Sequence, residues 1–332
     1  MSWLKSIVLL ITFITSACSP YASVRNVTIE STTAPSVIPV TASVPPAPSS
    51  LPDTVRSSSP NPAAQTQAAP TTIYLPTIVT PTKTVRPMGG MVADHTVIDD
   101  FDLIPESAIR AASEMSAVFF HQSSGNYIED LGFECLAGTK DPGVFTDCAA
   151  YTPSDGYSHQ NWNWLLKEGN PDWKVSDALR KVDVFKQLVP EYANSAEVIG
   201  MKFCYIDGWN IHLAFEPYRQ AMEAFEAQYP DKIFIWSTTV LWGNPGEACS
   251  GNWNSCKSLA EFNQQVREYA KAHNKPLYDI AAIESNGGAC QVAGYEGACQ
   301  ENVGGNHPSS QGSIRLAKGY WWLMARLSGW SS

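Results

Sequence analysis

The sequence predicts an α/β domain in which helices cover both faces of a parallel sheet. Strand-like and helix-like stretches alternate from about residue 105 to the end of the chain, and this alternation is typical of parallel sheets with right-handed crossovers. The strands are continuously apolar, as in Ile233–Trp236, which indicates burial on both faces. Polar residues directly follow several strands, at the sheet edge where ligands bind in such folds.

The elements follow one another in a simple order. A helix is predicted over 105–115, and the first strong strand is Ala117–His121, which is apolar up to its last residue. A short helix, a long polar and aromatic loop and a second helix follow, over 124–131, about 134–172 and 175–192. Strands and helices then alternate: strands over 198–206, 233–238 and 276–283, and helices over 213–228, 259–272 and 311–327.

Two segments of different composition precede this domain, which we place at residues 95–332. Residues 1–17 resemble a bacterial lipoprotein signal, because Lys5 supplies positive charge and the apolar core Ile7–Ile14, too short to span a membrane, leads to small residues before Cys18. We expect lipidation of Cys18, with simple cleavage and secretion as the alternative. Residues 18–94 are rich in Ser, Thr and Pro and poor in charge, so we expect a disordered tether.

The net charge and the cysteine count indicate which binding partners and which cellular compartment to expect. The net charge of −10 and the lack of a Lys/Arg run argue against a nucleic acid partner, and we expect membrane contact only through a lipid on Cys18. Eight cysteines fit an oxidising compartment, so we expect an exported protein, at the cell surface or secreted.

Cys204 lies in an apolar run and is expected to be a buried thiol. Without a C-x-x-C spacing, a zinc site is not expected. Six cysteines allow fifteen pairings, of which we predict the three local ones: Cys135/Cys148, Cys249/Cys256 and Cys290/Cys299.

A serine and a distant histidine carry the clearest catalytic chemistry. Ser123 follows the strand Ala117–His121, and His307 stands in a late loop before the last helix. A serine hydroxyl is a poor nucleophile until a base takes its proton, and backbone N–H groups at a strand-to-helix turn suit developing negative charge. The pair predicts hydrolysis by an activated serine. The alternatives are a helix N-cap role for Ser123, a surface role for His307, and Ser124 as the nucleophile.

Several blocks of sequence resemble the SGNH (GDSL-like) hydrolase superfamily, in the branch whose first block reads His-Gln-Ser-x-Gly. The blocks lie at 120–126, 201–207, 237–241, 278–285 and 306–312, and the last reads His-Pro-x-x-x-Gly. The resemblance spans about 115–327 and implies a three-layer α/β/α sandwich of flavodoxin-like type with a central parallel sheet. It also implies ester or acyl hydrolysis, often the removal of acetyl groups from carbohydrates, which needs no cofactor or metal.

The chain departs from the family pattern at the acid of the triad. The family places an Asp three residues before its His, and this chain has Gly304 there. In a triad that Asp holds the imidazole in the correct tautomer and stabilises its cation. The candidates for a substitute are Glu301, Asp279 and Glu284, or a backbone carbonyl.

A second departure concerns the oxyanion. The family block that reads Gly-x-Asn-Asp is replaced here by the strand end at 205–210. Asn210 is the better donor there, because Asp207 as a carboxylate can only accept. We expect the oxyanion to be held by the backbone amides of Ser123 and Gly125 and by the side chain of Asn210.

Four side chains are candidates for contact with the substrate. His121 and Asp207 follow strands, although a core histidine and a turn aspartate are the alternatives. Trp209 and Trp242 could stack on sugar rings or simply pack in their loops. The sequence thus predicts an extracellular serine esterase that acts on a small-molecule or polysaccharide ester, with acetylated polysaccharide as the leading substrate. A non-catalytic carbohydrate-binding or surface-recognition module on the same fold is the alternative, and Gly304 supports it.

Overall fold

Six strands form the central sheet of the computed structural model, which describes residues 91–166, 176–243, 249 and 255–331. The strands are β1 (Val92–Ala93), β2 (Ala117–His121), β3 (Trp162–Leu166), β4 (Val198–Met201), β5 (Ile233–Ser237) and β6 (Leu277–Tyr278). Their order across the sheet is β1-β6-β5-β4-β2-β3, and every neighbouring pair is parallel. Without the edge strand β1, this is the 2-1-3-4-5 order of flavodoxin-like folds.

Helices cover both faces of this sheet, so the predicted three-layer α/β/α class is confirmed. Along β2, Phe119 belongs to one apolar cluster and Phe120 to the other, because successive strand residues point to opposite faces. The helices are α1 (Glu106–Glu114), α2 (Ser124–Tyr127), α3 (Glu134–Leu136), α4 (Ala178–Tyr192), α5 (Phe215–Gln228), α6 (Ser255–Ala272), α7 (Ile280–Ser285) and α8 (Ser310–Ser328). The Phe119 cluster includes residues of α1 and α8, and the Phe120 cluster includes residues of α4, α5 and α6.

Several boundaries differ from the predicted ones. The predicted loop over 134–172 contains β3, in which Trp162 and Trp164 are buried while Asn163 is exposed. This alternation is short and lies among other polar and aromatic residues, so it was missed. The strand predicted over 198–206 ends at Met201. The strand predicted over 276–283 is only β6, because the Asp279 carboxylate accepts from the Ala282 amide and starts α7.

The amino-terminal segments lie mostly outside the described residues. The predicted signal over 1–17 with Cys18, and the tether up to residue 90, fall there. The described residues begin at Met91, and β1 (Val92–Ala93), which lies before the predicted domain start at residue 95, pairs with β6. Within the described ranges, no helix combines the length and the apolar character needed to cross a membrane.

Three disulfides join the cysteines that were paired by sequence proximity. They are Cys135–Cys148, Cys249–Cys256 and Cys290–Cys299. Cys204 carries a free, buried thiol, as the apolar run around it predicts. Each bond closes a short loop, and the bond at Cys290 encloses the hairpin of β7 (Gln291–Val292) and β8 (Tyr295–Glu296).

Candidate active site

The side chains of Ser123 and His307 meet at the carboxyl edge of the sheet. Ser123 Oγ lies 2.5 Å from His307 Nε2, although 184 positions separate the two residues in the chain. The serine follows β2, which lies between β3 and β4, so the strand order reverses beside it. Ligand sites of open α/β sheets lie at such switch points. The histidine begins β10 (His307–Pro308), which pairs with β9 (Val303–Gly304).

The backbone of Ser123 is in an unusual conformation. Its φ is 50° and its ψ is −93°, a sparsely populated region for a residue with a side chain. The hydroxyl does not cap α2 and contacts the histidine instead. The N-cap alternative therefore does not describe this serine. The competing nucleophile, Ser124, is fully buried.

Two buried lysines hold Gln122, the residue before the serine. Lys202 Nζ donates to the Gln122 carbonyl at 3.1 Å, and Lys181 Nζ donates to the Gln122 side chain at 2.6 Å. Lys181 also forms a buried ion pair with Asp207 at 2.7 Å. Hydrogen bonds from charged donors are stronger than neutral ones, so this turn is firmly anchored. Sequence reasoning missed both lysines, although a charged Lys202 inside an apolar run was a visible signal.

His121 and Gly125 lie in the interior beside the serine. A Cβ added at Gly125 would come within 2.2 Å of the His121 ring, so glycine is required there for packing. The Gly125 amide donates to the Gln122 carbonyl at 3.2 Å, so its expected use as an oxyanion donor is not supported. His121 is fully buried beside Trp164, and burial together with the charge of Lys202 lowers its pKa to about 3. The core alternative, rather than substrate contact, describes His121.

Asn210 and Asp207 serve the scaffold. The side chain of Asn210 accepts from the Ala178 amide at 3.1 Å and donates to Asp177 at 2.9 Å, so it fixes the start of α4. This placement corrects the expected oxyanion role. Asp207 is fully buried in its ion pair with Lys181 and accepts from the Cys204 amide at 2.8 Å. The turn alternative is therefore the one that the structure supports for Asp207.

The two candidate tryptophans differ in their relation to the site. Trp209 is 41% exposed, and its indole N–H donates to the Ser176 carbonyl. Trp242 is partly buried and packs on Tyr205 with the ring centroids 4.5 Å apart. Since Tyr205 contacts the ring of His307, a single ring separates Trp242 from that imidazole.

None of the three candidate acids reaches the histidine. Glu301 is exposed and accepts from Asn286 at 3.0 Å. Asp279 pairs with Arg267 at 2.7 Å. Glu284 is buried and accepts from the Leu241 amide at 2.7 Å, and burial raises its pKa to about 8. Each carboxylate has a structural partner, and in the part of the chain that the structure describes none forms a hydrogen bond or ion pair with His307.

Gly304 nevertheless occupies the position that the family pattern assigns to the acid. It pairs directly with His307 across the β9–β10 ladder, where paired side chains lie about 4.5–5.5 Å apart at Cβ. A Cβ built at Gly304 would have only the Ser309 Cα within reach, at 4.0 Å. The strand pairing thus leaves space for a side chain opposite His307, and this chain has a glycine there.

Two aromatic rings surround His307 instead. Tyr127 stacks on the imidazole at 4.7 Å with an interplanar angle of 19°, and Tyr205 contacts it edge-on at 5.6 Å and 82°. Partial burial, and after it the charge of Lys202, lower the pKa of His307. The ring is therefore neutral near pH 7 and able to accept a proton. Sequence reasoning missed both tyrosines, because Tyr205 lies inside the block at 201–207 and Tyr127 directly follows the block at 120–126, and both blocks were searched for polar groups.

Solved structures resemble this fold at low sequence identity. A GDSL-like lipase from Bacteroides thetaiotaomicron is 13% identical with a TM-score of 0.37, over 71% of this chain and 95% of that chain. A protein assigned as an acylhydrolase, from Bacteroides fragilis, is 12% identical with a TM-score of 0.41, over 70% and 95%. One assigned as a lipolytic protein of the G-D-S-L family, from Desulfitobacterium hafniense, is 14% identical with a TM-score of 0.36, over 63% and 99%. No family profile and no curated protein matches the chain by sequence.

Proposed function

We propose that this protein is a serine hydrolase of the SGNH type that cleaves acyl esters, with Ser123 as nucleophile and His307 as general base. The observation that carries the proposal is the 2.5 Å contact between Ser123 Oγ and His307 Nε2. A serine next to a base within hydrogen-bond reach is the arrangement that activates a hydroxyl. The strained backbone of Ser123 is a second support, because such strain concentrates at functional sites.

The chemistry proceeds in two halves. His307 Nε2 takes the proton of Ser123 as Oγ forms a bond to the ester carbonyl carbon, and the resulting imidazolium gives that proton to the departing alcohol as the old C–O bond breaks. A water molecule then attacks the acyl-serine. His307 accepts a proton from that water and returns it to Ser123, which releases the carboxylic acid.

The negative charge of the tetrahedral intermediate needs donors aimed at it. Among the expected donors, the Ser123 amide remains, since it has no acceptor within the described residues and stands at the start of α2. The buried amine of Lys202 donates to the Gln122 carbonyl of the same turn, although burial lowers the pKa of this lysine. In its protonated form this group favours an oxyanion over the neutral carbonyl.

We also propose an exported protein whose substrate is an acylated carbohydrate. Three disulfides fit an oxidising compartment, and the expected anchor is a lipid at Cys18. Trp242 packs on Tyr205 beside His307, and an aromatic face suits the apolar face of a sugar ring. A small or polymeric ester of this kind is the partner that we expect.

The direct test uses Ser123→Ala with Ser124→Ala as the matched control. We expect the wild-type protein to react with a fluorophosphonate probe and to hydrolyse p-nitrophenyl acetate. Ser123→Ala is expected to lose labelling and at least about 10³-fold in kcat, because no other hydroxyl among the described residues is hydrogen-bonded to His307. Ser124→Ala keeps both activities. Unchanged turnover in Ser123→Ala would remove the nucleophile assignment.

A non-catalytic carbohydrate-binding module is the second candidate. It is favoured by one observation, the glycine opposite His307 where a triad carries its acid. It predicts that the wild-type protein is not labelled by the probe and still binds oligosaccharides in isothermal titration calorimetry. Labelling at Ser123 would exclude it.

A further inference from the structure

The ring of His307 is enclosed by tyrosines on two sides. Tyr127 covers one face, and the edge-on contact with Tyr205 is nearly perpendicular to that stack, with interplanar angles of 19° and 82°. No carboxylate in the described ranges bonds to the same ring. The catalytic base of the proposed function thus has two aromatic neighbours, and no acid among the described residues bonds to it.

We propose that Tyr127 and Tyr205 are positioning residues that take over the work of a triad carboxylate, which the described residues do not supply at His307. This inference rests on the proposed function, because it assigns how the base of that site is oriented and stabilised. The two tyrosines act on His307 and not on the ester that is cleaved.

A triad carboxylate fixes the orientation of the imidazole and stabilises its cation. The two rings can supply both effects. Contacts at 4.7 Å and 5.6 Å in two different orientations restrict the tilt of the imidazole, since aromatic pairs prefer such offset-stacked and edge-on geometries. When His307 becomes an imidazolium, the electron-rich face of Tyr127 attracts it as a cation–π partner.

The surrounding structure fixes the tyrosines themselves. Tyr127 is the last residue of α2, the short helix for which Ser123 is the N-cap residue, so a single helical turn separates the two along the chain. Tyr205 is buried and packed against Trp242 at 4.5 Å. Tyr127 is still 38% exposed, so it can be substituted without opening the core.

The experiment compares Tyr127→Leu with Tyr127→Phe. Leucine keeps an apolar cover over His307 and removes the aromatic face, whereas phenylalanine keeps that face. We expect Tyr127→Leu to lower kcat for p-nitrophenyl acetate by about tenfold with KM changed less than about twofold. Tyr127→Phe is expected to stay within about threefold of the wild type in kcat. The remote control is Tyr229→Leu, which removes a ring stacked on Phe225 at the opposite, amino edge of the sheet, just before β5.

A second readout does not depend on turnover. The titration of His307 is followed by NMR, with His307→Gln to assign its signal among the six histidines. Loss of the aromatic face destabilises the imidazolium, so its midpoint in Tyr127→Leu is expected at lower pH by about 0.5. The midpoint in Tyr127→Phe and Tyr229→Leu stays near that of the wild type.

The possible results distinguish a failure of the tyrosine proposal from a failure of the proposed hydrolase function. If Tyr127→Leu leaves kcat and the His307 midpoint unchanged, or changes KM alone, the positioning role is wrong and Tyr127 is at most a substrate contact. If the wild-type protein neither reacts with a fluorophosphonate nor loses activity in Ser123→Ala, the proposed function fails. The NMR midpoint then still decides whether the tyrosines stabilise the cation of His307.

Discussion

Single residues show how this site departs from a complete triad. Ser123 has a strained backbone and a close contact with His307, while the position opposite the histidine is a glycine. That glycine is exposed, its φ lies outside the left-handed region, and its surroundings are open. A side chain is therefore sterically acceptable at Gly304.

Gly304→Asp is expected to place a carboxylate beside the imidazole of His307. The new carboxylate would face His307 across the β9–β10 pair, raise the pKa of the imidazole and stabilise its cation. We expect kcat to rise by about tenfold and the acidic limb of the kcat/KM profile to move to higher pH. Gly304→Asn is the neutral control of the same shape and should do neither.

The same substitution tests the tyrosine inference from the opposite direction. If an acid and an aromatic face do the same work, Gly304→Asp restores most of the kcat lost in Tyr127→Leu. A double variant no faster than Tyr127→Leu would mean that the two groups are not interchangeable, and that Tyr127 contributes something other than support of the imidazolium.

At the scale of elements, close packing between two helical segments positions the block that contains His307 beside Ser123. The π-helical turn Ile128–Phe133 continues α2, which follows the nucleophile, and it packs on α8, which follows the histidine block. Gly132 makes this approach possible, because a Cβ there would lie 2.5 Å from the Ser313 carbonyl oxygen and 2.8 Å from the Ala317 Cβ. The two halves of the site are thus joined through one tight helix contact.

Gly132→Ala is therefore expected to destabilise the domain. The added methyl group would push α8 away from the π-helical turn Ile128–Phe133, and overpacking of this kind costs about 1–3 kcal/mol. Urea denaturation followed by tryptophan fluorescence measures the loss. The matched control is Gly143→Ala, where the nearest contact is the exposed Asp141 carboxylate, and which should change stability by less than about 0.5 kcal/mol. Equal stability of the two variants would contradict the packing argument.

For the molecule as a whole, buried ionisable groups set the dependence of stability on pH. Glu284 joins α7 to the loop after β5 through its bond to the Leu241 amide, and burial raises its pKa to about 8. An unfolded glutamate titrates near 4.3. Between these two values the folded protein keeps a proton that the unfolded chain has released, so stability falls as pH rises from about 4 to about 8.

Glu284→Gln is expected to remove this contribution. Glutamine still offers an oxygen to the Leu241 amide and never ionises. We expect the unfolding free energy of the variant to exceed that of the wild type at pH 8 by up to a few kcal/mol, and to approach it at pH 5. Urea titrations at both pH values measure the difference. Parallel pH profiles for the two proteins would show that Glu284 is not protonated in the folded state.

Local sequence signals predicted the fold class and the two residues, Ser123 and His307, whose side chains meet. An apolar strand that ends in a serine, a histidine block before a helix and cysteines spaced closely in pairs are all properties of neighbouring residues, and each was recognised. The strand ends were placed less well, because polar residues such as Asp279 stop a strand by capping the next helix. β3 was missed because its alternation covers only five residues.

The partners of polar groups required the folded structure. Asn210 and Asp207 looked like site residues in the chain, yet their bonds go to Asp177 and Lys181. The rings around His307 come from positions 127 and 205, and no pattern along the chain links them. Sequence patterns report which groups are available and which secondary structure they favour. Hydrogen bonding and stacking act over a few ångströms in space, so which groups meet depends on how distant segments pack.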